Sequence, residues 1–236
     1  MPPTDRTAAR RGRSGAGSRP AEASFVLSAA TCDQLPAPDL AEVAVAGRSN
    51  VGKSSLLGAL LGRPGLVRTS KTPGSTVLLN LFEVEVAGPE GPTQRVRLVD
   101  LPGYGFAARG ARERARLAAR IEAYLAARRC TAVLLLLDLR RGVLDADLEF
   151  VEAAAAHAHR LVLVGTKVDK IPRSRRGAAR RRIADAFGVA PRDVHVTSAR
   201  TREGVAGPGG LTELLCDLAG GERSIDVARS TLEIDG

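Results

Sequence analysis

Apolar residues fall along this chain in two rhythms. Unbroken runs such as AVLLLL at 132–137 and LVLV at 161–164 predict strands buried on both faces of a sheet. Glu42–Ala46, Val77–Ala87, Arg95–Val99 and Val194–Thr197 bring the set to about six strands. Stretches with apolar residues three and four apart predict helices at Ser54–Leu61, Ala111–Arg129, Leu144–His157, Ser174–Phe187 and Leu211–Leu218. Leu117, Ile121, Tyr124 and Leu125 form the inner stripe of the second helix. Leu148 and Val151 are expected to face inward from the third, and Ile183 and Phe187 from the fourth. GPEGPT at 88–93 is a Gly/Pro turn too short for a crossover, so the strands it joins should be antiparallel. Elsewhere strands alternate with helices. The fold class is therefore α/β, a mostly parallel sheet with helices on both faces. In such sheets ligands sit beyond the carboxyl ends of the strands.

Composition narrows the picture. The chain has 236 residues, 44% of them apolar but only 3% aromatic, so Leu, Val and Ala must build the core. Residues 1–22 are rich in Arg, Gly, Ser and Pro and read as a basic disordered tail. One domain is expected over 23–219, with a flexible tail over 220–236. The formal net charge of +9 suits a polyanionic partner, or else reflects a bias toward Arg and Ala. Only four lysines stand against thirty-one arginines. Lys53, Lys71, Lys167 and Lys170 thus become candidates for roles that need a compact ammonium or a lysine stem. Cys32, Cys130 and Cys216 show no metal or redox spacing, as in a reduced interior. No secretory signal is apparent, and Val133–Leu137 is too short to span a bilayer. A cytoplasmic monomer without a membrane partner is the expectation.

Three motifs fall at predicted strand ends. GRSNVGKS at 47–54 joins a strand to a helix. Its backbone N–H groups can curl around phosphates, Lys53 can reach the terminal phosphates, and Ser54 can offer a hydroxyl to Mg²⁺. DLPG at 100–103 places a carboxylate where it can hold the metal's water shell, and Gly103 N–H where it can meet a γ-phosphate. TKVD at 166–169 offers Asp169 to the N1 and N2 hydrogens of guanine, while the Lys167 stem covers the purine. Adenine cannot fill those acceptors. Taken alone, Asp169 would serve equally in an exposed ion pair. Thr197-Ser198-Ala199 can give backbone donors to guanine O6. Thr76, in TPGST at 72–76, is either a turn threonine or a ligand that closes on Mg²⁺.

At this point the chain resembles the EngB (YihA/YsxC) GTPases over about Phe25 to Leu218. The resemblance rests on EVAVAGRSNVGKSSLL, LVRTSKTPGST, LVDLPGYGFA, the DLR at 138–140, TKVDKIPRSR and TSARTREGV. It implies a Ras-like P-loop G domain that binds GTP or GDP with Mg²⁺. It further implies a role in large ribosomal subunit assembly and in septation and cell division. It places Gly47, Arg48, Ser49, Asn50, Val51, Gly52, Lys53 and Ser54 on phosphates, and Ser54 and Thr76 on Mg²⁺. Gly74, Ser75, Thr76, Val77 and Leu78 fall in the first switch, and Asp100, Leu101, Pro102 and Gly103 in the second. Thr166, Lys167, Val168, Asp169, Thr197, Ser198 and Ala199 fall around guanine. Val77 stands where the family usually has Gln, Gly58 where Asn is common, and Ala199 where a second Ser is usual.

After DLPG, where Ras-like enzymes often carry a water-orienting Gln, this chain has Tyr104, a poor base at neutral pH. Slow hydrolysis by the protein alone follows, with Lys53, Asn50 and Thr76 as the catalytic candidates. Asn50 either holds K⁺ beside the β- and γ-phosphates or simply accepts the loop's backbone geometry. RSRRGAARRRIADAF at 173–187 has six Arg within ten residues. Arg175, Arg176 and Arg180 there are candidates for rRNA phosphates, or else form a solvated face. A small-molecule kinase lacks its lid here, and TKVD argues against it. A GTPase of tRNA modification or membrane remodelling lacks its usual added segment.

Overall fold

The computed structural model describes residues 22–63, 67, 78–87, 93–105, 110–127, 130–157 and 159–220. The first-switch positions Gly74, Ser75, Thr76 and Val77 lie outside the described residues, as do Lys71, the 88–92 turn and most of both tails.

Period-two alternation explains why the central strands are mostly apolar on both faces. In β5 (Ala132–Asp138), Val133, Leu135 and Leu137 enter one core while Ala132, Leu134 and Leu136 enter the other. β2 (Ala41–Gly47) divides likewise: Ala44 and Ala46 face one side, Val43 and Val45 the other. A strand covered on both faces has no solvent side, so β5 is apolar up to Asp138, and the one polar side chain inside β2, Glu42, is fully buried and accepts the Tyr124 hydroxyl at 2.9 Å.

Seven strands form the sheet. The others are β1 (Ala23–Ala29), β3 (Leu79–Ala87), β4 (Thr93–Asp100), β6 (Leu161–Thr166) and β7 (Val194–Val196). Their order is β1-β3-β4-β2-β5-β6-β7. β3 pairs antiparallel with β1 and with β4, and every other pairing is parallel. The antiparallel β3–β4 pair agrees with the expectation from the short connection. The added edge strand β1 grows from the segment read only as the start of the domain.

The helices divide between the faces. α2 (Ala111–Ala126), α3 (Asp145–Ala156) and α4 (Arg173–Ala186) cover one; α1 (Lys53–Leu60) and α5 (Leu211–Gly220) cover the other. Leu117, Ile121, Tyr124 and Leu125 of α2 are buried, as their spacing predicts, and so are Ile183 and Phe187. α3 departs from expectation. Val151 packs against the core, but Leu148 is 40% exposed, and the inward positions are Asp147, Phe150 and Ala154. The cause is chemical: the Asp147 carboxylate accepts the N–H of Leu144 at 3.0 Å and is drawn inward by partners outside the helix. That fixes the helix phase and turns Leu148 to solvent.

Candidate functional site

The carboxyl ends of β2, β4, β5 and β6 converge, and the motifs collect there. Leaving β2, the chain turns tightly. At Gly47 a Cβ would come within 2.9 Å of the Leu136 carbonyl oxygen, so only glycine fits. Asn50 lies in the left-handed region at φ 65°, and Gly52 caps α1 at φ 110°. The positive φ at Asn50 is what its reading as a turn residue requires. Its side-chain amide makes no hydrogen bond among the described residues. α1 begins at Lys53, which leaves its first N–H groups free at the loop's mouth.

Lys53 Nζ pairs with the Asp100 carboxylate at the end of β4, and Asn80 Nδ2 approaches the other Asp100 oxygen at 3.4 Å. Ser54 is half-buried at the first turn of α1. Among the described residues no cluster of three acidic, His or Cys side chains could hold a metal by itself. The donors present fit Mg²⁺ in a different way. One hydroxyl, a nearby carboxylate and ligand phosphates are what this ion takes when it keeps several waters.

The third motif grips the first. Thr166 Oγ1 donates to the Val51 carbonyl at 2.8 Å. Lys167 Nζ donates to the Asn50 carbonyl at 2.6 Å and to Asp138 at 3.0 Å. Arg140 also pairs with Asp138, at 2.7 Å. Burial alone would raise the Asp138 pKa, but the hydrogen bonds from Arg140 and Lys167 outweigh it and hold it at about 2. Asp169 accepts Ser198 Oγ at 2.7 Å and Arg200 Nε at 2.9 Å. The Ser198 bond, more than the Arg200 one, holds its pKa below the ordinary value. Asp169 is thus an ionised acceptor at neutral pH.

Gly52, Thr166, Lys167, Asp169, Thr197, Ala199 and Arg200 line a solvent-open cleft of about 140 Å³. Val168, Thr197 and Ser198 are buried, so Val168 and Ser198 shape the cleft rather than face it. Leu101 and Pro102 are buried below the second-switch turn.

Two predicted positions point elsewhere. The Arg48 side chain turns away from the loop and reaches Asp147, with Nε 3.0 Å from Oδ2. Tyr104, at the place of the water-orienting Gln, is buried and stacks on Phe150 at 5.2 Å. Burial first, then the Asp147 charge, pushes its pKa well above the ordinary value, so it is no base. Sequence reasoning missed Asp147 and Arg200. The sequence marks Asp147 only as an acidic residue in the first turn of a predicted helix, with nothing to show its partners.

A glycine loop between a strand and a helix, a carboxylate closing the neighbouring parallel strand, and a third loop whose lysine clasps the first define a P-loop G domain. The family model described as "50S ribosome-binding GTPase" matches residues 42–167. A probable GTP-binding protein EngB of Geotalea daltonii is 41% identical over 181 residues, covering 76% of this chain and 84% of that protein. Its counterpart in Geobacter sulfurreducens is 40% identical over 183 residues, covering 77% and 85%. The chain belongs to the EngB family of GTP-binding proteins and is a GTPase. Among solved structures, a probable GTP-binding protein engB shares the fold at a TM-score of 0.54 and 24% identity, over 80% of this chain and 99% of that one. Aquifex aeolicus Era bound to GDP.AlF4⁻ does so at 0.57 and 21% identity, over 78% and 57%.

Proposed function

We propose that this chain uses GTP binding and slow hydrolysis to time its attachment to the large ribosomal subunit during assembly, and that septation and cell division depend on it. The observation that carries the nucleotide reading is Asp169, ionised at the cleft, on a loop whose Lys167 is clamped to the phosphate loop. Asp169 takes the N1 and N2 hydrogens of guanine in place of Arg200, the Lys167 stem lies along the purine, and the backbone of Thr197–Ala199 faces O6.

The backbone of Gly47–Ser54 cradles the phosphates. Lys53 turns from Asp100 to the β- and γ-phosphates, which present more negative charge than one carboxylate. Asp100 would then be free to hold the metal's water shell, and Ser54 would be its hydroxyl ligand. Magnesium, when bound, would supply charge neutralisation at the ligand phosphates. The first-switch ligand Thr76 belongs to this set by family resemblance. The Asn50 amide, which makes no hydrogen bond among the described residues, is the group that would hold K⁺ at the phosphates.

Support for the ribosomal partner comes from the matched family's description and from charge. The exposed arginines of α4 supply sequence-independent contacts to rRNA phosphates. No described helix is long and apolar enough to cross a membrane.

The nucleotide reading is tested by Asp169→Asn. The variant is expected to lose guanine nucleotides and to gain xanthine nucleotides, whose 2-oxo group accepts from the new amide. Unchanged GDP affinity would remove Asp169 from the base site. The partner reading is tested by co-sedimentation with separated subunits. Binding to the large subunit with a GTP analogue but not with GDP is expected.

A further inference from the structure

Three segments distant in sequence meet at one buried carboxylate. Asp147, near the start of α3, is fully buried. It accepts Arg48 Nε from the phosphate loop at 3.0 Å and Tyr104 Oη from the second-switch loop at 3.0 Å. It also accepts the Leu144 N–H at 3.0 Å. Arg48 is fixed a second time by the Gly142 carbonyl at 3.1 Å. A buried carboxylate with three donors is stable only while the donors stay.

The second-switch loop does more than touch the phosphate loop. Ser49 N–H donates to the Tyr104 carbonyl at 2.9 Å, and Ser49 Oγ donates to the Gly103 carbonyl at 3.1 Å. Arg48 and Tyr104 form a parallel bridge that prolongs the β2–β4 pairing. A Cβ at Gly103 would lie 3.2 Å from both Cα and N of Ser49. The two backbones are therefore in contact, with no room for a phosphoryl group between them. If Gly103 N–H is to meet a γ-phosphate seated on the loop, Gly103 and Tyr104 must first lift from Ser49. Tyr104 resists that by two handles, its carbonyl on Ser49 and its hydroxyl on Asp147.

We propose that Asp147 is a specificity-determining positioning residue, which holds Tyr104 down on the phosphate loop and so favours GDP over GTP. The proposal rests on the reading of this loop as the phosphate site. Part of the γ-phosphate's binding energy goes into releasing the Tyr104 hydroxyl. GDP makes no such demand. Burial pushes the Asp147 pKa up, the Arg48 bond opposes that shift and aims the carboxylate, and the Tyr104 bond is the one that opens.

Tyr104→Phe keeps the ring and its stacking on Phe150 but removes the hydroxyl. Titrations of the full chain with GDP and with a non-hydrolysable GTP analogue, both with Mg²⁺, read the effect. Analogue affinity should rise about tenfold, the scale of one hydrogen bond to a charged group, while GDP affinity stays within about twofold. Asp147→Asn should move the ratio the same way. Phe150→Leu, which loosens packing but leaves the hydroxyl bond, should lower Tm and leave the ratio unmoved. An analogue-to-GDP ratio unchanged or lowered in Tyr104→Phe overturns the proposal. So does an equal change in both affinities, which marks a structural role only. Failure of the unmodified chain to bind either nucleotide overturns the site reading itself.

Discussion

Asp138 shows how one carboxylate outside the lining of a cleft can brace the loops that form it. It closes β5, and its two oxygens engage Arg140 and Lys167. Lys167 then has its ammonium fixed between Asp138 and the Asn50 carbonyl, which stretches its stem across the cleft. With a folded pKa of about 2, against an ordinary value near 3.8, Asp138 contributes stability that is complete above about pH 4. That contribution is lost as pH falls through about 2. Asp138→Asn should therefore melt below the unmodified chain at pH 7, and the gap should narrow between about pH 4 and pH 2. A constant gap on thermal melts across that range would show that the charge is not what matters. Lys53, Asp100 and Asp169 were legible in the sequence because each sits inside a contiguous motif at a strand end. Asp147 was not, because its partners Arg48 and Tyr104 are 99 and 43 residues away in sequence. No local pattern records such a meeting.

At the scale of elements, α4 divides its arginines between the fold and the solvent. Arg176 donates to the Ile171 carbonyl at 3.2 Å and pairs with Glu203 at 2.8 Å. Arg180 donates to the carbonyls of Val194 and Arg192, at 2.8 and 2.7 Å, and so pins the start of β7. Arg182 reaches the Leu139 carbonyl at 3.4 Å. Arg173, Arg175 and Arg181 are exposed and make no such bond among the described residues. Ser174, Gly177 and Ala178 between them are small and exposed, which leaves room for a nucleic-acid backbone. The candidate trio Arg175, Arg176 and Arg180 thus mixes two kinds of residue. Reversing Arg173, Arg175 and Arg181 to Glu should weaken large-subunit co-sedimentation and flatten its salt dependence, with Tm unchanged. Arg180→Ala should instead lower stability by on the order of 1–2 kcal/mol, since it strands two carbonyls. The helix itself was legible from Ile183 and Phe187, but not the division, because the anchoring carbonyls lie in other segments. The phase of α3 was misjudged for a related reason. Apolar periodicity placed Leu148 inward, whereas a buried acid, invisible to a hydrophobic pattern, fixed the face.

The whole molecule brings the glycine loop, Ser54 and Asp169 to one edge of a sheet, where the proposed reading puts phosphates, magnesium and guanine. It places no side chain from the described residues to orient an attacking water. Tyr104 holds the relevant position, and it is stacked on Phe150 and bonded to Asp147. Positioning and charge neutralisation must then carry the chemistry. Lys53 supplies one positive charge, and in the proposed reading Asn50 would bring a second as K⁺. The left-handed φ of Asn50 does not compete with this role, because backbone geometry and side-chain ligation use different atoms. Single-turnover hydrolysis by the chain alone should stay within a few hundredfold of about 4 × 10⁻⁴ s⁻¹, the unassisted level for such sites. KCl should raise it above the rate in NaCl, because Na⁺ is too small to span the same oxygens. Asn50→Ala should erase that difference while leaving GDP affinity nearly intact. Equal rates in the two salts, with and without large subunits, would reduce Asn50 to a turn residue. A rate near 1 s⁻¹ for the chain alone would place a catalytic group outside the described residues. The first switch around Thr76 would then be the place to search.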